Sequence, residues 1–301
     1  MAIVLGPNRY GKAETRVVRV TRDGGVHTIK DLNVSVSLSG DMDEVHLSGD
    51  NANVLTTDAQ KNTVFAFARK YGIASAEEFA LTLARHFVDS RPTIHHARVE
   101  VQEYAWDRIP VLEGGVPRAE QHSFVRSGGE VRTALVHSDG TGGAESVVSG
   151  LTDLVVLNST GSEFHGYVKD EYTTLEETND RVLATAVTAR WRHHGTDAGD
   201  AGGWDASYAG ARQALLDAFA GTYSLSLQQT LYAMGRRVLT ERPETCEVRL
   251  AMPNKHHFVV DLAPFGLDND NEVFFAADRP YGLIEGSVLT GDAPDAPDAW
   301  S

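Results

Sequence analysis

Lys12, Thr57, Gln228 and His256 are the side chains whose types and settings could support chemistry. Lys12 closes the run Asn8-Arg9-Tyr10-Gly11-Lys12, just ahead of a β-branched segment; taken alone it also reads as a solvated charge. Thr57 opens Thr57-Asp58-Ala59-Gln60, the Thr-x-x-Gln form of a capping box, so an N-cap role explains it equally well. Gln228 falls in a first helical turn. His256 follows Pro253-Asn254-Lys255, a polar run that interrupts two strand patterns. Such an interruption suggests a bulge, and bulges gather near functional sites; a surface loop is the plain alternative.

Other chemistries lack their residues. No G-x-x-x-x-G-K-S/T run makes a P-loop, and no G-x-G-x-x-G joins a strand to a helix for a dinucleotide. Gly140-Thr141-Gly142-Gly143 reads only as a flexible loop. G-x-S-x-G and H-E-x-x-H are missing too. Twelve histidines invite a metal, but His95-His96, His193-His194 and His256-His257 are adjacent pairs. Neighbours on a strand point to opposite faces, so one pair cannot readily give two ligands to one ion, and no metal is expected. The single cysteine, Cys246, excludes an intrachain disulfide.

The elements that must position these residues follow from periodicity. Asp23-Gly24-Gly25 separates the run Arg16 to Val20 from Leu32, Val34, Val36 and Leu38, which alternate with polar residues, so a hairpin is expected. One helix follows the Thr57 pattern and stops at Gly72. A second follows the capping box Ser75-Ala76-Glu77-Glu78 and ends at Arg91-Pro92. Strands return over 97–109 and 123–136, and the Gly-rich stretch 137–146 reads as a loop or partly mobile linker. The order then repeats. Strands are expected over 151–159 and 181–192, then a helix through Tyr208, Ala211, Leu215 and Phe219, and another capped by Ser226. Strands over 245–252, 257–262 and 272–277 follow.

Both halves therefore read ββααββ, an α+β pattern of antiparallel sheets with helices on one face. The boundaries expected are 1–140 and 141–290, with 291–301 a disordered acidic tail. Each unit leaves open sheet edges, which favours oligomerisation.

Composition sets outer limits. The chain has 301 residues, is 42% hydrophobic and 23% charged, and carries a formal net charge of −15. That balance suits packed units and argues against nucleic acid, whose phosphates need a basic surface. The N-terminus lacks the basic region of a signal peptide, no run approaches the roughly 18 apolar residues of a membrane span, and the C-terminus lacks a peroxisomal Ser-Lys-Leu. A cytoplasmic protein is expected.

Six segments in order carry a resemblance to the urate oxidase (uricase) family: Tyr10-Gly11-Lys12; Thr57-Asp58 with Lys61-Asn62-Thr63; Ser159-Thr160-Gly161-Ser162 before Phe164; Asp170 to Leu175; Asp180-Arg181; and Pro253-Asn254-Lys255-His256. The resemblance implies a tandem T-fold whose sheets close into a barrel in a homotetramer, with active sites at subunit interfaces. It implies oxidation of urate by O2 to 5-hydroxyisourate and hydrogen peroxide, with no cofactor.

The resemblance also assigns roles. Phe164 would stack on the planar substrate. Arg181 would grip its anionic edge with two parallel hydrogen bonds, and Gln228 and the backbone N–H of Leu227 would complete the clamp. Thr57 and Asp58 would reach in from a neighbouring subunit, Thr57 also touching oxygen or water. Asn254 would hold oxygen, then water, above the ring. Lys12, Thr57 and His256 would relay protons, since a desolvated amine can serve as a base; which of Lys12 and His256 is the primary base stays open. Two other classes fit the pattern less fully: a T-fold enzyme acting on a pterin or purine, and a non-catalytic purine-binding ring protein.

Overall fold

A computed structural model describes residues 1–118 and 122–301. The chain divides into two compact units. The first takes residues 1–150, 192–205 and 294–301, and the second takes 151–191 and 206–293.

In the first unit, β1 (Tyr10–Asp23) and β2 (Val26–Gly40) form the expected hairpin, turned by Gly24 and Gly25 at φ +51° and +88°. A short α1 (Asp43–Leu47), α2 (Thr57–Lys70) and α3 (Ala76–Asp89) follow, then β3 (Ile94–Tyr104). Four three-residue strands come next: β4 (Trp106–Arg108), β5 (Val111–Glu113), β6 (Val116–Arg118) and β7 (Phe124–Arg126). They form two small ribbons, β4 with β7 and β5 with β6. β8 (Val131–Ser138) closes a sheet of order β1-β2-β3-β8, antiparallel throughout.

The alternation read in β2 fixes the register. Val34 faces Val101 and then Ala134, and Val36 faces Val99 and then Val136. These rows, with Leu32 and Leu38, are buried under Val64 and Ala68 of α2 and Phe79, Leu83 and Phe87 of α3. Each such Val or Leu contributes roughly 1.5–3 kcal/mol when taken fully from water. A one-residue slip would turn the whole row to the other face, so the register is firmly specified.

The second unit repeats the plan with most of β9 (Glu145–Asn158), β10 (Leu183–His193) and α4 (Trp204–Gly221), whose ends fall in the first unit, and with α5 (Leu227–Glu241), β11 (Thr245–Val259) and β12 (Phe274–Leu289). Its strands lie in the order β9-β10-β11-β12. Ala211, Leu215 and Phe219 of α4 and Leu227, Leu231, Met234 and Val238 of α5 pack on Leu183, Val187, Trp191, Val248 and Leu250. Both units thus have the ββααββ order expected of a tandem T-fold.

Several local expectations change. The loop expected over 137–146 is shorter than that: β8 runs to a fully buried Ser138, a turn spans Asp139 to Ala144, and β9 begins at Glu145. Glycines at 140 and 142 serve positive φ in that turn. The strand expected from Arg181 starts at Leu183. The two strands expected over 245–262 are one, and its partner runs on to Leu289. The tail after Gly291, expected to be disordered, ends in a short 3-10 turn (Pro297–Trp300) whose Ala299 is buried against Leu135 and Val148. Arg192 donates to the Pro294 carbonyl at 2.7 Å.

Candidate active site

In the first unit, close backbone approach places Lys12. A Cβ on Gly11 would sit 2.0 Å from the carbonyl oxygen of Val36, so only glycine lets β1 lie against β2 there. The register then shifts between Lys12 and Thr15, with Glu14 at φ +57° and its N–H donating to the Ser35 hydroxyl at 3.0 Å. Tyr10 and Lys12, two apart on a strand, share a face. Tyr10 packs on the core, and its phenol oxygen accepts from the Thr57 backbone N–H at 3.2 Å.

The N-cap of α2 is Thr56, whose hydroxyl accepts from Ala59 N at 3.1 Å. This corrects the capping-box expectation: Thr57 is the first helical residue, and Gln60 spends its amide on the Leu55 carbonyl. The Thr57 hydroxyl is therefore not needed to start the helix. Asp58 is exposed, and Lys61 at 2.6 Å holds its carboxyl below the usual range, with a smaller pull from Lys12 in the same direction. Lys12, Thr57 and Asp58 thus form one constellation on the first unit.

The second unit builds the other. A cavity of about 600 Å³ is lined by Phe164, Arg181, Asn254, His256, His257 and Phe258, among others. The loop between β9 and β10 carries Phe164 and Arg181. It is tied down by reciprocal backbone bonds between Phe164 and Thr178, at 2.9 and 3.1 Å, and by Arg181 N donating to Ser162 O at 2.9 Å. The Arg181 guanidinium carbon stands 5.2 Å from the Phe164 ring centroid. Its Nε donates to the Ser162 hydroxyl at 3.0 Å, while its two Nη groups have no hydrogen bond or ion pair among the described residues. Burial alone pushes its pKa down. Glu176 and Asp180 also line the cavity, but neither pairs with Arg181, so its half-buried guanidinium keeps two Nη groups to offer an anion.

Asn254 and His256 flank the bulge expected at 253–256. Asn254 pairs with Gly282 but His256 with Ala277, so one residue on β11 stands opposite four on β12. The His256 ring stacks on Phe258 with centroids 5.8 Å apart. Burial, then Arg181, then His257 lower its pKa, which keeps the imidazole neutral and able to accept a proton.

Leu227 and Gln228 do not line this cavity; they open α5 behind its N-cap Ser226, with Leu227 buried and Gln228 exposed. The segment leading into α5 is nevertheless bridged to the Arg181 loop. Ser224 N donates to Gly161 O and Glu163 N to Ser224 O, both at 2.9 Å. Ser162 and Tyr10 are the residues whose functional placement the sequence did not signal; both lie inside recognised motifs but carried no assigned role. No group of three or more His, Cys, Asp or Glu suited to a metal occurs among the described residues, and none of their helices is long and apolar enough to cross a membrane.

Fold and site together define an α+β protein of two T-fold units, with an aromatic face and an unpaired arginine in the second. A uricase family model matches residues 8–137 and 147–285. The chain is 51% identical over 300 residues to a uricase of Arthrobacter globiformis, covering 99% of this chain and 94% of that one. To a uricase of Dictyostelium discoideum it is 36% identical over 283 residues, covering 93% and 96%. The crystal structure of the Arthrobacter globiformis uricase matches with TM-score 0.92 at 49% identity, covering 100% of this chain and 99% of that one. A uricase from Bacillus fastidious matches with TM-score 0.81 at 27% identity, covering 95% and 94%. The chain belongs to the uricase family and is an oxidoreductase.

Proposed function

We propose that the protein oxidises urate with molecular oxygen and water, giving 5-hydroxyisourate and hydrogen peroxide, with no metal or organic cofactor. The observation that carries this reading is Arg181, half-buried, without a carboxylate partner, and 5.2 Å from the Phe164 ring. Urate is planar and anionic, so it needs an aromatic face and a forked cation, and these two residues supply them. Gln228 and the Leu227 N–H complete the grip from the start of α5, where free backbone N–H groups favour an anion.

Oxygen takes electrons poorly from a closed-shell neutral molecule, so the substrate must first lose protons. Thr57 takes a proton from urate and passes it to Lys12. His256, held neutral by burial and Arg181, orients the relay, takes the proton that the attacking water loses and delivers it to the departing peroxide. Asn254, across the bulge from His256, holds oxygen and then water above the ring. Asp58 contributes a backbone N–H. Because Lys12, Thr57 and Asp58 belong to the first unit and the clamp to the second, we place the complete site at an interface between chains of a homotetramer, whose assembly also closes the open sheet edges.

Urate titration under anaerobic conditions tests the clamp. Arg181→Lys replaces a fork with a point charge and should weaken binding about 10–100-fold, the worth of a charge-assisted hydrogen bond. An unchanged Kd would contradict the clamp.

A further inference from the structure

Ser162 is fully buried, yet its side chain points its one acceptor at a charged group. It holds Arg181 twice: its carbonyl oxygen takes the Arg181 backbone N–H at 2.9 Å, and its hydroxyl takes Nε at 3.0 Å. A guanidinium offers bidentate donors along more than one edge, including the Nε/Nη side and the terminal Nη/Nη pair. With Nε committed to Ser162, only the terminal pair is presented whole to a ligand. The serine therefore selects which edge of the arginine is used as well as where it sits.

The anchor is itself anchored. Gly161 and Glu163, on either side of Ser162, bond to the backbone of Ser224 at 2.9 Å each. Ser224 is fully buried; its hydroxyl donates to Ser226 O at 3.1 Å and accepts from the Thr230 hydroxyl at 2.9 Å. Ser226 caps α5, whose first two residues are Leu227 and Gln228. One run of buried hydroxyls and backbone bonds thus joins the arginine of the clamp to the helix that presents its amide.

We propose that Ser162 is a positioning residue for urate recognition, setting the Nη pair of Arg181 toward the substrate edge and holding it in register with the start of α5. This rests on the Arg181 clamp proposed above.

Steady-state kinetics on the full chain test it through four forms: wild type, Ser162→Ala, Arg181→Lys and the double variant. Ser162→Ala should raise KM for urate about tenfold and leave kcat within about twofold, the split expected when binding rather than chemistry is lost. Because the serine acts through the arginine, it should raise KM no further in the Arg181→Lys background. Thermal melting checks that each variant is folded; if Ser162→Ala is not, Ser162→Cys, close in size with a weak acceptor, carries the same comparison. A wild-type KM in Ser162→Ala alongside a raised KM in Arg181→Lys overturns the positioning role and leaves the clamp standing. An equal rise in KM on both backgrounds, or a loss confined to kcat, also overturns it. A wild-type KM in Arg181→Lys instead refutes the clamp itself.

Discussion

The phenol of Tyr10 accepts the backbone N–H of Thr57 at 3.2 Å, while the hydroxyl of the preceding Thr56 caps the helix. Of two adjacent threonines, Thr56 thus caps the helix, which leaves the Thr57 hydroxyl free for the relay proposed above.

That division can be read out. Thr56→Ala removes the cap and should cost about 1 kcal/mol in denaturant unfolding with kcat unchanged. Thr57→Ala should leave unfolding within about 0.5 kcal/mol and lower kcat by roughly 10²–10⁴-fold, as should Lys12→Met. Near wild-type turnover in Thr57→Ala and Lys12→Met would contradict the relay.

His256 gives a pH signature. Its pKa is lowered by burial first and by Arg181 second, so the neutral form persists below the ordinary imidazole value of about 6.5. The acid limb of kcat/KM should accordingly fall below that pH. Arg181→Gln removes the second cause, so NMR titration of the free protein should show the His256 pKa rising. A fall, or no change, would contradict the electrostatic link.

Away from the site, Glu77 and Arg132 form a buried pair at 2.6 Å, with Glu77 also accepting from Ser149 at 2.7 Å. Burial raises the Glu77 pKa and Arg132 opposes it. Arg132→Leu should cost roughly 3–5 kcal/mol at neutral pH, the toll of an orphaned buried charge. Its sign with pH follows from linkage. A carboxyl whose folded pKa is raised keeps its stability at low pH and loses it as pH rises through the folded pKa, so the variant's deficit should be larger at pH 8 than at pH 5. Urea unfolding at the two pH values checks this.

Much of the fold was legible because its determinants are local. The alternation from Leu32 to Leu38, the caps Ser75 and Ser226, and the bulge at Asn254 and His256 each rest on a few consecutive residues. Thr57 was read as the cap because either of two neighbouring threonines can serve, and only the entry path of the chain selects Thr56. The glycines at 140, 142 and 143 did mark a loop, but tertiary pairing extends the strands on either side and shortens it to one turn. β12 beyond Ala277 had no strand signal, since Pro280 and Gly282 break any alternation. Of the site, Phe164 and Arg181 were visible through family resemblance alone. The Ser162 contact spans 19 residues of chain, and no periodicity encodes it.

The proposed oxidation of urate by oxygen, with the chain's own residues, has one direct test. Protein freed of metal by exhaustive chelation should be mixed with urate while the ultraviolet absorbance of urate, oxygen uptake and peroxide release are followed together. The prediction is loss of one urate per oxygen consumed and per peroxide formed, at an undiminished rate. Loss of activity on chelation that returns only with added metal, or urate loss without peroxide, would contradict it.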